Sequence, residues 1–187
     1  MSSSARVIVP CLVFLALACG ESGEPPLVAE EILQLNPDAN MVMFGLESYV
    51  TAGGIRRALV EADTAFFLEG RPIVELRGVR VTFYNEDGEE TSVLTSREGT
   101  YDRDNGDMTA KEDVVVVNRA EGRRLETSVL YYLRPEDRIW SDKPTTLIEA
   151  DGTIIEGTAF TSDSRMEQIN LDNLRITRPG TQPPPEQ

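Results

Sequence analysis

The chain has 187 residues, with 18 Lys and Arg against 32 Asp and Glu, no histidine, two cysteines and a net charge of −14. A chain this acidic, with no basic stripe to displace counterions, is excluded as a nucleic-acid binder. The missing histidine removes the commonest general base and the commonest metal ligand together, and the length allows one ordinary domain beside any terminal segments.

The chain opens MSSSAR, with one cation at Arg6, and continues into an apolar run of eleven residues from Val7 to Leu17. A bilayer span needs about 20 residues, so this run reads as a secretory leader. Leu15-Ala16-Leu17-Ala18-Cys19 then sets small residues before a cysteine, which resembles a bacterial lipoprotein box. The pattern predicts a signal peptide over residues 1–18 and acylation of Cys19. Cys11 would leave with the leader, so the mature chain keeps one cysteine and no internal disulfide. A thioether-linked lipid accounts for that single thiol, and several acyl chains anchor stably where one would be marginal. The alternative is an ordinary leader with Cys19 near its end. Gly20 follows the cysteine, in place of the aspartate that holds many lipoproteins at the inner membrane.

Residues 19–40 form a polar, Pro-containing tether, interrupted by LVAEEILQL, which suits two helical turns or a loose arm. At about 3.5 Å per residue, roughly twenty residues reach about 70 Å when extended, so a domain can stand off the membrane. The tail over residues 179–187 is low-complexity and proline-rich, and is predicted to be disordered.

Residues 41–178 read as β structure. In LRGVRVTFYNEDG, Val79, Val81 and Phe83 share one face, Arg80, Thr82 and Tyr84 the other, and an Asp-Gly turn follows. Further turns fall at Asp104-Asn105-Gly106, Glu121-Gly122, Pro135-Glu136-Asp137, Lys143-Pro144 and Asp151-Gly152. DVVVVN, residues 113–118, is apolar on both faces, as in a strand covered on both sides or with one side kept for a ligand. A rhythm runs through the domain. Leu94, Tyr101 and Met108 lie seven apart, as do Leu125, Tyr132 and Ile139, then Ile155, Ser162 and Ile169 with Phe160 nearby, and a degenerate set Leu59, Phe66, Ile73. Their starts are 35, 31 and 30 residues apart, which predicts stacked strand pairs. An all-β sandwich, barrel or jelly roll is expected. The inward apolar residues suit an acyl chain and an ordinary closed core equally. Gly78 and Gly157, inside strands, mark a bulge or a close approach.

In this order and spacing, LRGVRVTFYNEDG, SREGTYDRDNGDMTAKEDVVVV, RLETSVLYYLRPEDRIWSDKPTTLI and TIIEGTAF resemble the LptC family of lipopolysaccharide-export proteins, within the OstA-like fold. The likeness covers most of residues 41–178; the repeats are shared with the sister bridge protein LptA. It implies a V-shaped β-jelly roll, open along one seam, that receives lipopolysaccharide from an inner-membrane ABC transporter. The acyl chains would lie between the layers and pass to an LptA-like bridge docked strand to strand, with no bond made or broken and no cofactor. Groove candidates on this reading are Phe66, Val81 and Phe83, then Leu94, Met108, Val114 and Val116. Leu125, Leu130, Ile139, Leu147, Ile155, Phe160 and Ile169 complete the set. MVMFGLESYV would face the transporter and INLDNLRITR the bridge. The family usually reaches the inner membrane through a transmembrane helix, whereas this chain carries the lipoprotein box. Family role favours a periplasmic protein anchored at the inner membrane, and Gly20 leaves the outer membrane open. The acidic exterior offers no cation cluster for the phosphorylated headgroup, which is expected to project into solvent.

Other motifs carry less. DRDNGD, residues 102–107, approaches a calcium loop, but its glycine falls one position early and its last ligand would be Asp113 where glutamate is expected, so it reads as a hairpin turn. Glu98, Asp102 and Asp107 lack the aromatic-lined cleft that a glycosidase pair needs. Ser96, Ser128 and Ser141 have no histidine to activate them. Trp140 reads as a packed strand residue. No catalytic or metal site is expected. The rival functions are an assembly lipoprotein with a closed β-core, and a small-ligand or glycan-binding accessory domain.

Overall fold

Six long antiparallel strands open the domain: β1 (Ala39–Ala52), β2 (Ile55–Leu68), β3 (Ile73–Tyr84), β4 (Glu90–Asp102), β5 (Met108–Asn118) and β6 (Arg123–Leu133). The computed structural model describes residues 36–180. Strands of 11 to 14 residues are about twice the usual length, and a sheet this long has to bend to cover its own apolar face. The inward residues record where it bends. In β2, Val60 and Ala62 enter the core and then Ala65, an odd step later; in β3 the set Val74, Leu76 gives way to Val79, Val81, Phe83.

Each strand ladder skips the residues at this switch, which are Gly45, Asp63, Gly78, Arg97, Glu112–Asp113 and Ser128 in successive strands. Together they form a corner that folds one sheet into two facing layers, as bends and bulges do in crossed β packings. Left-handed backbone makes the turn at several of them: φ is 62° at Gly78, 61° at Glu112 and 51° at Asp113. Gly78 has a second constraint, because a Cβ there would lie 2.0 Å from Asp63 Oδ2.

Past β6 the chain splits between the layers. β7 (Arg138–Ser141) pairs with the far half of β6 and β8 (Thr145–Ile148) with its near half. β9 (Ile154–Gly157) and β12 (Arg175–Thr177) extend the second layer beside β8, while β10 (Ala159–Asp163) and β11 (Asn170–Asp172) extend the first beside β7. At the crossing, a Cβ on Gly157 would meet Leu171 Cδ2 at 2.8 Å and the Asp172 carbonyl oxygen at 3.0 Å. β1 ends the sheet on one side, and β11 and β12 end the two layers on the other. The architecture is the open, two-layer β-jelly roll that the family resemblance implied, one of the all-β forms the turn spacing allowed, and every turn named above joins two of these strands or leads between the layers.

The corner also explains the interval of seven. Residues on one face of a straight strand are an even number apart, so an odd interval requires one extra residue, and the corner holds it. Leu94 and Tyr101 both turn inward from opposite halves of β4, as do Leu125 and Tyr132 in β6; Tyr101 then pairs with Met108, and Tyr132 with Ile139. The degenerate first copy is out of phase by one. The residues that repeat the pattern are Val60, Phe67 and Val74, with Phe67 directly opposite Val74. Phe66 lies opposite Val42 and Glu75, on the other face from Ala65 and Phe67. Ala65-Phe66-Phe67 is apolar throughout, so no alternation fixes its phase, and a slip of one residue reverses every side chain.

The signal peptide, Cys19, Gly20 and most of the tether and tail lie outside the described residues. Among those described, no helix is long and apolar enough to cross a membrane.

Candidate lipid groove

Between the layers the apolar residues form one cluster. Val81, Leu94, Val114, Val116, Leu125, Leu130, Ile139, Leu147 and Phe160 are buried within it, and Met108, Ile155 and Ile169 pack against it while keeping some exposure. The middle of the trough is therefore closed on itself in this structure. Phe83 belongs to the cluster and also to a cavity wall. Phe66, on the opposite face, is the groove candidate that does not join them.

The free space lies at the mouth of the V, opposite the corner. A cavity of about 630 Å³ is bounded by Val50, Ala52, Arg57, Phe83 and Tyr84 from one layer and by Tyr132, Arg134, Pro135 and Ser164 from the other. That volume falls in the range of ligand sites, roughly 300–1,000 Å³. Phe83 meets Tyr132 edge-on, with ring centroids 5.7 Å apart. Burial pushes the Tyr132 phenol from its ordinary 10.0 to about 12, and the Asp137 carboxylate beside it adds to the shift.

The rim gathers charges of both signs: Arg57, Arg134 and Arg165 border the cavity together with Glu86 and Asp137. Each arginine has a partner: Arg57 pairs with Glu86 at 3.2 Å, Arg134 Nη2 donates to the Thr51 carbonyl at 2.7 Å, and Arg165 pairs with Glu167 at 3.3 Å. The Arg134 bond ties the β6–β7 turn to the end of β1 across the mouth.

One row of directly opposed residues sets the character of this lip. Val50, Ala58, Phe83, Ser92, Asn118 and Arg123 follow one another across β1 to β6. The first three are apolar and flank or line the cavity. The last three are polar, although Ser92 and Asn118 are buried.

Edges complete the geometry. β1 exposes Met41, Met43, Phe44 and Tyr49, and the far end exposes Ile154, Leu174 and Ile176. The aspartate-rich run 102–107 is the β4–β5 turn, in which Asp102 Oδ1 accepts from the Asp104 amide at 2.9 Å and the Asp102 amide donates to the Asp107 carbonyl at 2.9 Å. Among the described residues no cluster of acids, cysteines or histidines is grouped to hold a metal ion. Trp140 stacks on Tyr131 at 4.3 Å, on the face away from the core.

The fold and site define an open two-layer β-jelly roll with a cavity at its mouth and free sheet ends. Comparison with known proteins narrows the class. The family model described as "Lipopolysaccharide-assembly, LptC-related" matches residues 9–175, and the chain belongs to that family. Among solved structures, it is similar to LptH of Pseudomonas aeruginosa, the LptA-homologous periplasmic component of the conserved lipopolysaccharide transport device. The TM-score is 0.51 at 16% identity, covering 64% of this chain and 93% of that one. No curated protein matches the sequence. Membership gives the chain a role in lipopolysaccharide transport in the periplasm, in a family of transport proteins.

Proposed function

We propose that the domain holds the acyl chains of lipopolysaccharide between its layers, entering at the mouth bordered by Phe83 and Tyr132, and hands them along the roll without chemical change. The inner-membrane ABC transporter would dock at the β1 edge, an LptA-like bridge at the β11 and β12 end, and Cys19 would carry the membrane anchor. The cavity with its apolar wall carries this reading. Each buried methylene contributes about 0.8 kcal/mol, so a chain of a dozen or so carbons brings on the order of 10 kcal/mol before ordering costs. Docking by strand addition satisfies the free amides of an edge strand and continues the groove into the neighbour. The three rim arginines already have acidic or carbonyl partners, so the headgroup stays loosely held outside. Loose capture favours transfer over storage.

The test is photo-crosslinking of purified lipopolysaccharide to p-benzoylphenylalanine in place of Phe83, with Thr95 on the outer face as control. Adducts at position 83 and none at 95 support the groove. Their absence at 83 supports the second reading, an assembly lipoprotein with a closed core, which the tight burial of Leu125 and Leu130 favours. The anchor is tested separately: Cys19→Ser abolishes incorporation of a palmitate analogue, and fractionation of the labelled chain identifies the membrane.

A further inference from the structure

The polar half of the lip row needs a reason. Ser92 is 0% and Asn118 3% exposed, at inward positions where alternation calls for apolar residues. Buried polar groups in an apolar wall are costly unless they are hydrogen-bonded. Here they meet the β10–β11 loop, which belongs to the opposite layer. Ser92 Oγ donates to the Ser164 carbonyl at 2.9 Å, Asn118 Nδ2 to the Arg165 carbonyl at 2.8 Å, and Arg123 Nη1 to the Met166 carbonyl at 3.3 Å. Three side chains on three adjacent strands thus grip three consecutive carbonyls across the seam.

The loop is shaped for that grip. The Met166 amide donates to the Asp163 carbonyl at 3.1 Å and the Glu167 amide to Asp163 Oδ1 at 2.8 Å, which curls the chain. Met166 has φ of 60° and 0% exposure, and its side chain belongs to the core cluster. A non-glycine residue seldom takes that backbone conformation. The strands that carry the loop are short: β10 pairs with β11 over three residue pairs and with β7 over four. Methionine is unbranched and flexible, so it suits a plug that moves in and out.

We propose that residues 164–168 form a latch over the C-terminal half of the seam. Acyl chains seated in the mouth cavity extend toward the β9 and β12 end only when Met166 withdraws. The latch rests on the acyl-groove reading and adds a gate to it. Ser164 and Arg165 already form one wall of the cavity, so opening the latch lengthens the same space along the seam. Closed, the molecule has one loading position near β1 to β3; open, it has a continuous path to its far end. The loaded lipid itself supplies the opening, by displacing one buried side chain with another apolar group.

The experiment compares p-benzoylphenylalanine at Phe83, on the loading side, with p-benzoylphenylalanine at Ile155, beyond the latch, in the full chain with purified lipopolysaccharide. Ser92→Ala combined with Asn118→Ala removes two of the three donors and should raise the ratio of Ile155 to Phe83 adducts on the order of tenfold. Tryptic cleavage after Arg165 gives a readout that needs no variant: it should be slow in the free protein and faster with lipopolysaccharide bound. If the double variant does not fold, Asn118→Ser serves in its place. An unchanged adduct ratio with cleavage indifferent to lipid overturns the latch and leaves the groove standing. Adducts at neither position overturn the groove, and the latch with it.

Discussion

The corner and the mouth are opposite edges of the same two layers, and they are held by opposite means. At the corner the main chain does the work: left-handed residues and skipped ladder positions turn each strand into the second layer, and the side chains there are largely exposed and polar. At the mouth left-handed backbone also occurs, at Asp137 and Met166, but the layers are joined there by side chains that reach across to the other layer's carbonyls from Ser92, Asn118, Arg123 and Arg134. A corner built from backbone can only break. A seam built from a few side-chain bonds can open.

Substitution at the corner should therefore cost most. Gly78→Val adds a branched side chain at φ of 62° and drives it into Asp63. Left-handed strain on a β-branched residue, with the exposed Asp63 side chain forced aside, should remove roughly 3 kcal/mol in urea unfolding. For this variant, stability within about 1 kcal/mol of the parent would break the comparison.

Next comes the plug of the mouth. Met166→Ala should destabilise by about 2–3 kcal/mol, toward the low end for a buried methionine because the loop can relax. Hydrogen exchange should quicken in residues 163–168 and leave the corner unchanged. Equal quickening at both would show that the two edges are one cooperative unit.

Alkali probes the cavity wall. The folded pKa of Tyr132, about 12, stands above the ordinary 10.0, so the neutral phenol stabilises the fold below pH 10 and that contribution is lost as pH rises toward 12. Tyrosinate absorbance should show a late phase that Tyr132→Phe removes. Its persistence in that variant would assign the phase to another ring. The smallest effect belongs to the corner's ion pair: Arg97 and Asp113 are 2.6 Å apart but both well exposed, so Arg97→Ala should cost less than about 1 kcal/mol.

Much of this was readable in the sequence, for reasons that differ by region. Turn residues and alternation gave the strands, because those signals are local. The interval of seven gave stacked strand pairs, because Tyr101 with Met108 and Tyr132 with Ile139 do pair across turns, but the corner that explains the odd step from Leu94 to Tyr101 and from Leu125 to Tyr132 was not read from it. The phase of the first copy was not readable, because Ala65-Phe66-Phe67 offers no polar residue to mark the outside. Nor was the cluster of rim arginines, because Arg57 at the start of β2, Arg134 in the β6–β7 turn and Arg165 in the β10–β11 loop are far apart in the chain and disappear in a strongly acidic average. The latch left a faint trace: Ser92 and Asn118 sit where apolar residues are due, and a lone methionine stands in the polar run SDSRMEQ. Only the pairing of the two across some 50 to 70 residues gives these traces meaning.

The central claim is that the layers part at the mouth to admit hydrocarbon. Nitroxide side chains at Asp87 and Glu136, exposed on opposite lips, report that separation by pulsed electron resonance. Lipopolysaccharide should lengthen the distance, while its delipidated polysaccharide leaves it unchanged. A distance that stays fixed while lipopolysaccharide is bound would contradict the claim.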